Sequence, residues 1–166
     1  MKQDTLDACA REMHTIVHQL VKKYQFRDRN KICCHNITVS QCYIMYELQH
    51  GALSMRELAG KLDLDISTMS RVVSQLQKKN YVLRENAAFD KRVILVSLTD
   101  SGSALFRRIE SSLLASEREI LQKIPASTRQ SVLYVLRELL QSVTAWRDEC
   151  CVPGAGASQD NAGTCR

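Results

Sequence analysis

Between residues 6 and 24 apolar side chains recur at 6, 9, 10, 13, 16, 17, 20, 21 and 24, the three-and-four spacing of one helical stripe. This predicts a long amphipathic helix, ended by the polar run FRDRNK at 26–31. Thr38 and Gln41 have the spacing of a capping box, which predicts a helix over 39–49 that stops at His50 and Gly51. Ser54 and Glu57 repeat the device and predict a short helix to about residue 62. A polar break at 63–65 then leads to a third helix over 67–79, closed by Asn80, a residue that tolerates the left-handed conformation. Two runs rich in β-branched and apolar residues follow, YVLR and RVILVSL, separated by a polar segment at 85–91; they read as a hairpin with a long tip. Thr99 can cap a further helix with apolar positions at 105, 109, 113 and 120, and Pro125 breaks it. Ser127 and Gln130 suggest a third capping box, opening a last helix with the stripe Val132, Leu133, Leu136, Leu139, Leu140, Val143 and Trp146. Residues 152–166 are small and polar, cannot bury enough to fold, and read as a disordered tail.

Composition adds class limits. An apolar fraction of 45% with 25% charged residues is that of a soluble globular protein. No run of about 18 apolar residues predicts a membrane span. The acidic residues of the N-terminus interrupt any signal-peptide core, so a cytoplasmic location is expected. The net charge is +5, and residues 66–92 carry most of it, with six basic side chains against two acidic ones. Such a concentration attracts phosphate backbones, although solvated helix faces are often basic as well.

The order of elements carries more than the charge does. Two short helices joined by a tight polar turn, the second followed directly by a hairpin, form the sequence of a winged helix-turn-helix. The major groove admits one helix, whose side chains must be short or bidentate to reach base edges. Ser67, Thr68, Ser70, Arg71, Ser74 and Gln75 offer such a face on the third helix, with Met69, Val72, Val73 and Leu76 as its buried side. Lys78 and Lys79 at the helix end, and Lys91 and Arg92 at the hairpin tip, suit phosphates or a minor groove. The fold class expected is mainly α with a small β-hairpin wing.

The segment SMRELAGKLDLDISTMSRVVSQLQKKNYVLRENAAFDKRVILVSLTDSG at 54–102 resembles the DNA-binding domain of MarR-type transcriptional regulators. The recognition-helix run, Asp90 with Arg92, and Leu98, Thr99 and Gly102 match the family pattern in order and spacing, and the resemblance extends over residues 5–147. Asn80 departs from it, since the family usually has glycine there, as do the cysteine-rich segments. The resemblance implies a homodimer with a helical dimerisation region at 1–32 and 99–149 and a winged domain at 38–98. Two recognition helices would address a pseudo-palindromic operator in double-stranded DNA, in a repressor without a membrane partner. The long apolar stripes outside the winged domain agree with burial against a second chain. By the family pattern Asp90 pairs with an arginine to hold the wing, and Arg92 is that partner or a minor-groove contact; Asp90 as a plain turn former is the alternative.

Seven cysteines remain to be placed: 9, 33, 34, 42, 150, 151 and 165. An odd number in a reducing compartment argues against structural disulfides. Cys42 reads as a small core hydrophobe, and Cys9, on the stripe of the first helix, as core or dimer packing. Cys33 and Cys34 lie between helices beside Lys31 and His35, where exposure and positive neighbours would activate a thiol. Cys150 and Cys151 form a second adjacent pair past the last helix, and the two pairs together could give a thiolate cluster, possible across subunits, for a soft metal or metalloid. Adjacent cysteines chelate zinc awkwardly, so a trivalent arsenical fits better, with thiol oxidation close behind and an organic effector or incidental cysteines as further alternatives. No resident cofactor is required. His35 and His50, at helix boundaries, read as capping or solvated. No catalytic motif is present, and Cys33 or Cys34 beside His35 makes a thiol-base pair only by sequence adjacency, so an enzyme is the distant alternative.

Overall fold

The structure is a computed structural model that describes residues 2–88 and 90–150, with side chains over 5–88 and 90–149. The expected tail at 152–166, Cys151, Cys165 and the thiol of Cys150 lie outside the described residues. The described chain divides into two compact units between Glu117 and Arg118.

Helix α1 spans Lys2–Ile32, so the polar run at 26–31 does not end it as the stripe suggested. That run has no glycine or proline, and Arg and Lys are good helix formers, so nothing local stops the backbone. Two of its charged residues also turn inward. Asp28 is buried; its Oδ1 accepts bonds from Arg27 Nε at 2.8 Å and Nη2 at 2.6 Å, and its Oδ2 accepts one from Tyr43 Oη at 3.3 Å. Arg27 Nη1 pairs with Glu117, to which Tyr24 Oη also donates, and the guanidinium lies 4.3 Å over the Tyr24 ring. A charged stretch is here a polar seam rather than a terminus.

A 3-10 turn at Cys33–His35 leads to α2, Val39–Leu48. The capping box at Thr38 forms as its spacing predicts: Thr38 Oγ1 accepts from Gln41 N at 3.2 Å, and Gln41 Oε1 from Thr38 N at 3.1 Å. The box at Ser54 opens α3, Met55–Lys61, in the same way. Helix α4 covers Ile66–Lys78, one residue earlier than expected at each end, because Asp65 serves as its N-cap. Asn80 has φ 59°, the left-handed conformation read from its type.

The hairpin pairs β2, Val82–Asn86, with β3, Ile94–Leu98, in the register Val82↔Leu98 to Asn86↔Ile94. A third strand, β1 at Leu53–Ser54, pairs antiparallel with β3 and was not foreseen. Two residues carry no periodicity, and Ser54 is also the N-cap of α3. The core of the first unit lies between α2, α3, α4, the sheet and the first turns of α5, Asp100–Gln122. Ile44, Met45, Leu58, Met69, Val73, Leu76, Val96 and Ile109 are all inaccessible to solvent. Thr99 Oγ1 caps α5 by accepting from Gly102 N at 2.9 Å.

In the second unit a 3-10 turn at Ala126–Thr128 precedes α6, Arg129–Cys150. The capping box expected at Ser127 is replaced by this turn, which Pro125 sets with φ −52° and closes by accepting from Thr128 N at 2.9 Å. Arg129 Nε instead donates to the carbonyls of Leu121 and Ile124, groups a helix end leaves without partners.

Candidate nucleic-acid interface

The site is built on α4. Its N-terminus is organised by Asp65, whose Oδ1 accepts from Thr68 N at 2.8 Å and whose Oδ2 accepts from Thr68 Oγ1 at 2.7 Å; Ser67 Oγ also donates to Oδ1. The Ser67 and Thr68 hydroxyls hold this carboxyl well below the usual carboxylate range. Ser67 and Thr68 therefore face the exposed helix start with their protons committed to the cap and their oxygen lone pairs open. Met69, Val73 and Leu76 are buried as expected, whereas Val72 is only half-buried, at the edge of the stripe.

Ser70 and Ser74 are drawn into a different task. Arg84 of β2 donates from Nη2 to Ser70 O at 2.9 Å and to Ser74 Oγ at 3.0 Å, while Ser74 Oγ donates to Ser70 O at 2.7 Å. Arg84 Nε is buried without a hydrogen-bond partner among the described residues. Arg84 was counted in the basic segment but given no role; it fastens the sheet to the helix. Arg71 and Lys78 are exposed on the open face, and Gln75, also exposed, accepts from Gln41 Nε2 at 2.9 Å. Gln41 is 1% exposed, so its amide is a buried organiser that the capping-box signal revealed only in half.

Lys79 does not point outward as its position at the helix end suggested. Its Nζ donates to Asn36 O and, at 3.2 Å, to Gln41 Oε1. The lysine is turned back onto the segment that precedes α2.

The wing tip is closed by Ala87 N to Val93 O at 2.8 Å and Val93 N to Asp90 O at 2.9 Å. Asp90 Oδ1 accepts from Arg92 N at 2.9 Å and from Arg92 Nε at 3.2 Å. These bonds, the backbone amide first, hold the Asp90 carboxyl below its ordinary value. The Arg92 side chain is nevertheless 91% exposed, and Lys91 beside it is exposed too. A cleft of about 550 Å³ separates the wing from α3 and α4, with Arg56, Ile66, Ser70 and Arg92 on its walls.

The cysteines separate into classes. Cys42 is buried, and burial followed by the Asp28 carboxylate pushes its thiol up to about 11. Cys9 is exposed in the single chain, so the core half of its expected packing is not met. Cys33 and Cys34 are both exposed on the 3-10 turn, where Cys34 Sγ donates to Lys31 O at 3.2 Å. Asn36 N donates to Cys33 O at 3.1 Å and closes the turn, with Asn36 itself at φ 58°. Half-buried His35 shares a cleft of about 630 Å³ with Arg107 and Arg108 of α5, and His50 is exposed at the end of α2. Among the described residues no three His, Cys, Asp or Glu side chains come together as a metal site.

A helix-turn-helix backed by a buried stripe, with a three-stranded sheet whose hairpin projects beside the second helix, defines a winged helix-turn-helix protein. Residues 37–94 match the MarR family. The chain is 31% identical over 130 residues to the uncharacterized HTH-type transcriptional regulator YdgJ of Bacillus subtilis, covering 72% of this chain and 77% of that protein. It is 28% identical over 133 residues to the HTH-type transcriptional repressor NicR of Pseudomonas putida, covering 75% and 82%. Among solved structures, a mutant MarR from E. coli complexed with operator DNA superposes with a TM-score of 0.66 at 22% identity, over 77% of this chain and 93% of that one. The chain belongs to the MarR family and is a transcription regulator. No helix among the described residues is long and apolar enough to cross a membrane.

Proposed function

We propose that the protein is a homodimeric repressor that binds a pseudo-palindromic operator and is released by chemistry at Cys33 and Cys34, with a thiophilic metalloid as the effector. The observation that carries the DNA-binding half is α4 itself: a rigidly backed helix whose outward face presents Arg71, Gln75 and Lys78, with Lys91 and Arg92 exposed on the adjoining wing. Arg71 has the reach and fork geometry for a guanine edge, Ser67 and Thr68 offer acceptors at the helix start, and the wing cations meet phosphates or the minor groove. Ser70 and Ser74 act by holding the sheet to the helix through Arg84, and Asp90 by closing the wing tip on Arg92. NicR is named a repressor and the E. coli neighbour was crystallised on operator DNA, which supports the direction of control and the ligand. Exposed apolar side chains on α1 and on α6 support self-association.

The cysteine half rests on the two adjacent exposed thiols. Soft thiolate ligands select soft metals and metalloids. Cys150 and Cys151 are the further pair that could contribute a third ligand. No resident cofactor enters this reading.

The test is a titration of fluorescent duplex DNA, selected by the protein from a random pool, at several salt concentrations. Sequence-selective binding that falls steeply with salt is expected; no selective binding overturns the DNA-binding half. Addition of arsenite should dissociate the complex of the wild type but not of a Cys33→Ser/Cys34→Ser variant. Release of that variant by arsenite overturns the cysteine half, and release by peroxide alone shifts the reading to thiol oxidation.

A further inference from the structure

The turn that bears Cys33 and Cys34 is wired to the recognition helix. Cys33 O accepts from Asn36 N, which fixes the left-handed Asn36, and Asn36 O accepts from Nζ of Lys79, the residue that caps the end of α4. Lys79 Nζ also reaches Gln41 Oε1, and Gln41 Nε2 donates to Gln75 on the face of α4. Two short routes therefore connect residues 33–41 to residues 75–79, one through Asn36 O and Lys79 Nζ and one through the Gln41 side chain.

In a 3-10 turn successive side chains point about 120° apart. The turn therefore directs the two adjacent sulfurs apart, and bringing both onto one small atom works against that geometry. A ligand that needs both sulfurs must bind an opened turn better than a closed one, and differential affinity of this kind is what shifts a conformational equilibrium. The closed turn, with Asn36 left-handed, is what presents the Asn36 carbonyl to Lys79.

Resting on the thiol-control reading above, we infer that the Cys33–Cys34 turn takes one monosubstituted trivalent arsenical across both sulfurs. The resulting loss of the Asn36–Lys79 bond loosens the end of the recognition helix. The chemistry balances without an oxidant or reductant. With phenylarsine oxide, two S–H bonds break, two As–S bonds form, and the oxide oxygen leaves as water with both protons; arsenic stays trivalent. A monosubstituted arsenic has two sites for sulfur, the number of thiols this turn exposes.

The experiment uses the full chain and phenylarsine oxide as probe, with three readouts: intact mass, affinity for the selected duplex, and hydrogen exchange. Wild type should take up one phenylarsenic on residues 33–34, lose DNA affinity by about tenfold or more, and gain exchange in the segment 75–80 as well as in 30–41. Lys79→Met should still take up the probe, but the ratio of its own affinities without and with probe should stay under about twofold. Full release of Lys79→Met, or exchange changes confined to 30–41, overturns the relay while leaving thiol control standing. Uptake by wild type on residues 33–34 with no change in DNA affinity overturns thiol control itself. Uptake elsewhere in the chain overturns the two-sulfur site.

Discussion

At Gly102 the reason for a residue type can be read from one distance. A Cβ there would lie 2.0 Å from the carbonyl oxygen of Tyr81, which is backbone and cannot step aside. Gly102→Ala is therefore expected to cost about 3 kcal/mol, as overpacking of a tight contact does, read from the urea midpoint. Unchanged stability would show that the approach is not close. Arg71 is exposed on α4, and Arg71→Ala should weaken binding by about 1–3 kcal/mol if the side chain reads a guanine. An unaltered titration curve would remove it from the contact list. Cys42 is the control for thiol reactivity. Its pKa is raised to about 11, so the nucleophilic thiolate is scarce at neutral pH and gains population only as pH rises toward that value. Iodoacetamide at about pH 8 should label Cys33 and Cys34 well before Cys42 in the native chain, with all three labelled in urea. Equal native rates would contradict the burial.

At the scale of elements, local signals succeeded where the interaction they encode is itself local. The capping boxes at Thr38 and Ser54 and the left-handed Asn80 join atoms three or fewer residues apart, and each forms as its spacing predicts. Thr38→Ala removes half of a box whose other half, Gln41, also holds Gln75 and Lys79, so a loss of about 1–2 kcal/mol is expected. A thermal or urea midpoint like that of wild type would show that the hydroxyl is dispensable. The failures have the opposite character. The charged run at 26–31 stays helical because Asp28 finds Tyr43 and Arg27 finds Glu117, partners 15 and 90 residues away. Strand β1 exists only because β3 offers an edge to pair with. The box at Ser127 gives way to a turn set by Pro125.

For the whole molecule the proposed dimer is tested at the exposed apolar side chains. On α6, Tyr134, Leu140 and Trp146 are 61%, 67% and 62% exposed, and on α1 Leu6, Met13 and Ile16 are at least half exposed. Surfaces of this kind mark association. Leu140→Glu/Trp146→Glu is expected to sediment as an 18.8 kDa monomer and to lose about a hundredfold in operator affinity as the two half-sites cease to be bound together. A dimer of unchanged affinity would place the interface elsewhere.

The sequence by itself determined the order of the helices and the hairpin, the capping boxes at Thr38 and Ser54, the recognition helix with most of its buried stripe and the exposed thiol pair, because periodicity and short-range hydrogen bonds are written in neighbouring residues. Which side chains of that helix remain open was decided only by the tertiary structure. Ser70 and Ser74 are engaged by Arg84, and Lys79 just past the helix by Asn36 and Gln41, through contacts between residues distant in the chain, as Asp28 of α1 is by Tyr43. A buried donor or acceptor takes whatever partner packing brings near it, and packing is a property of the folded whole.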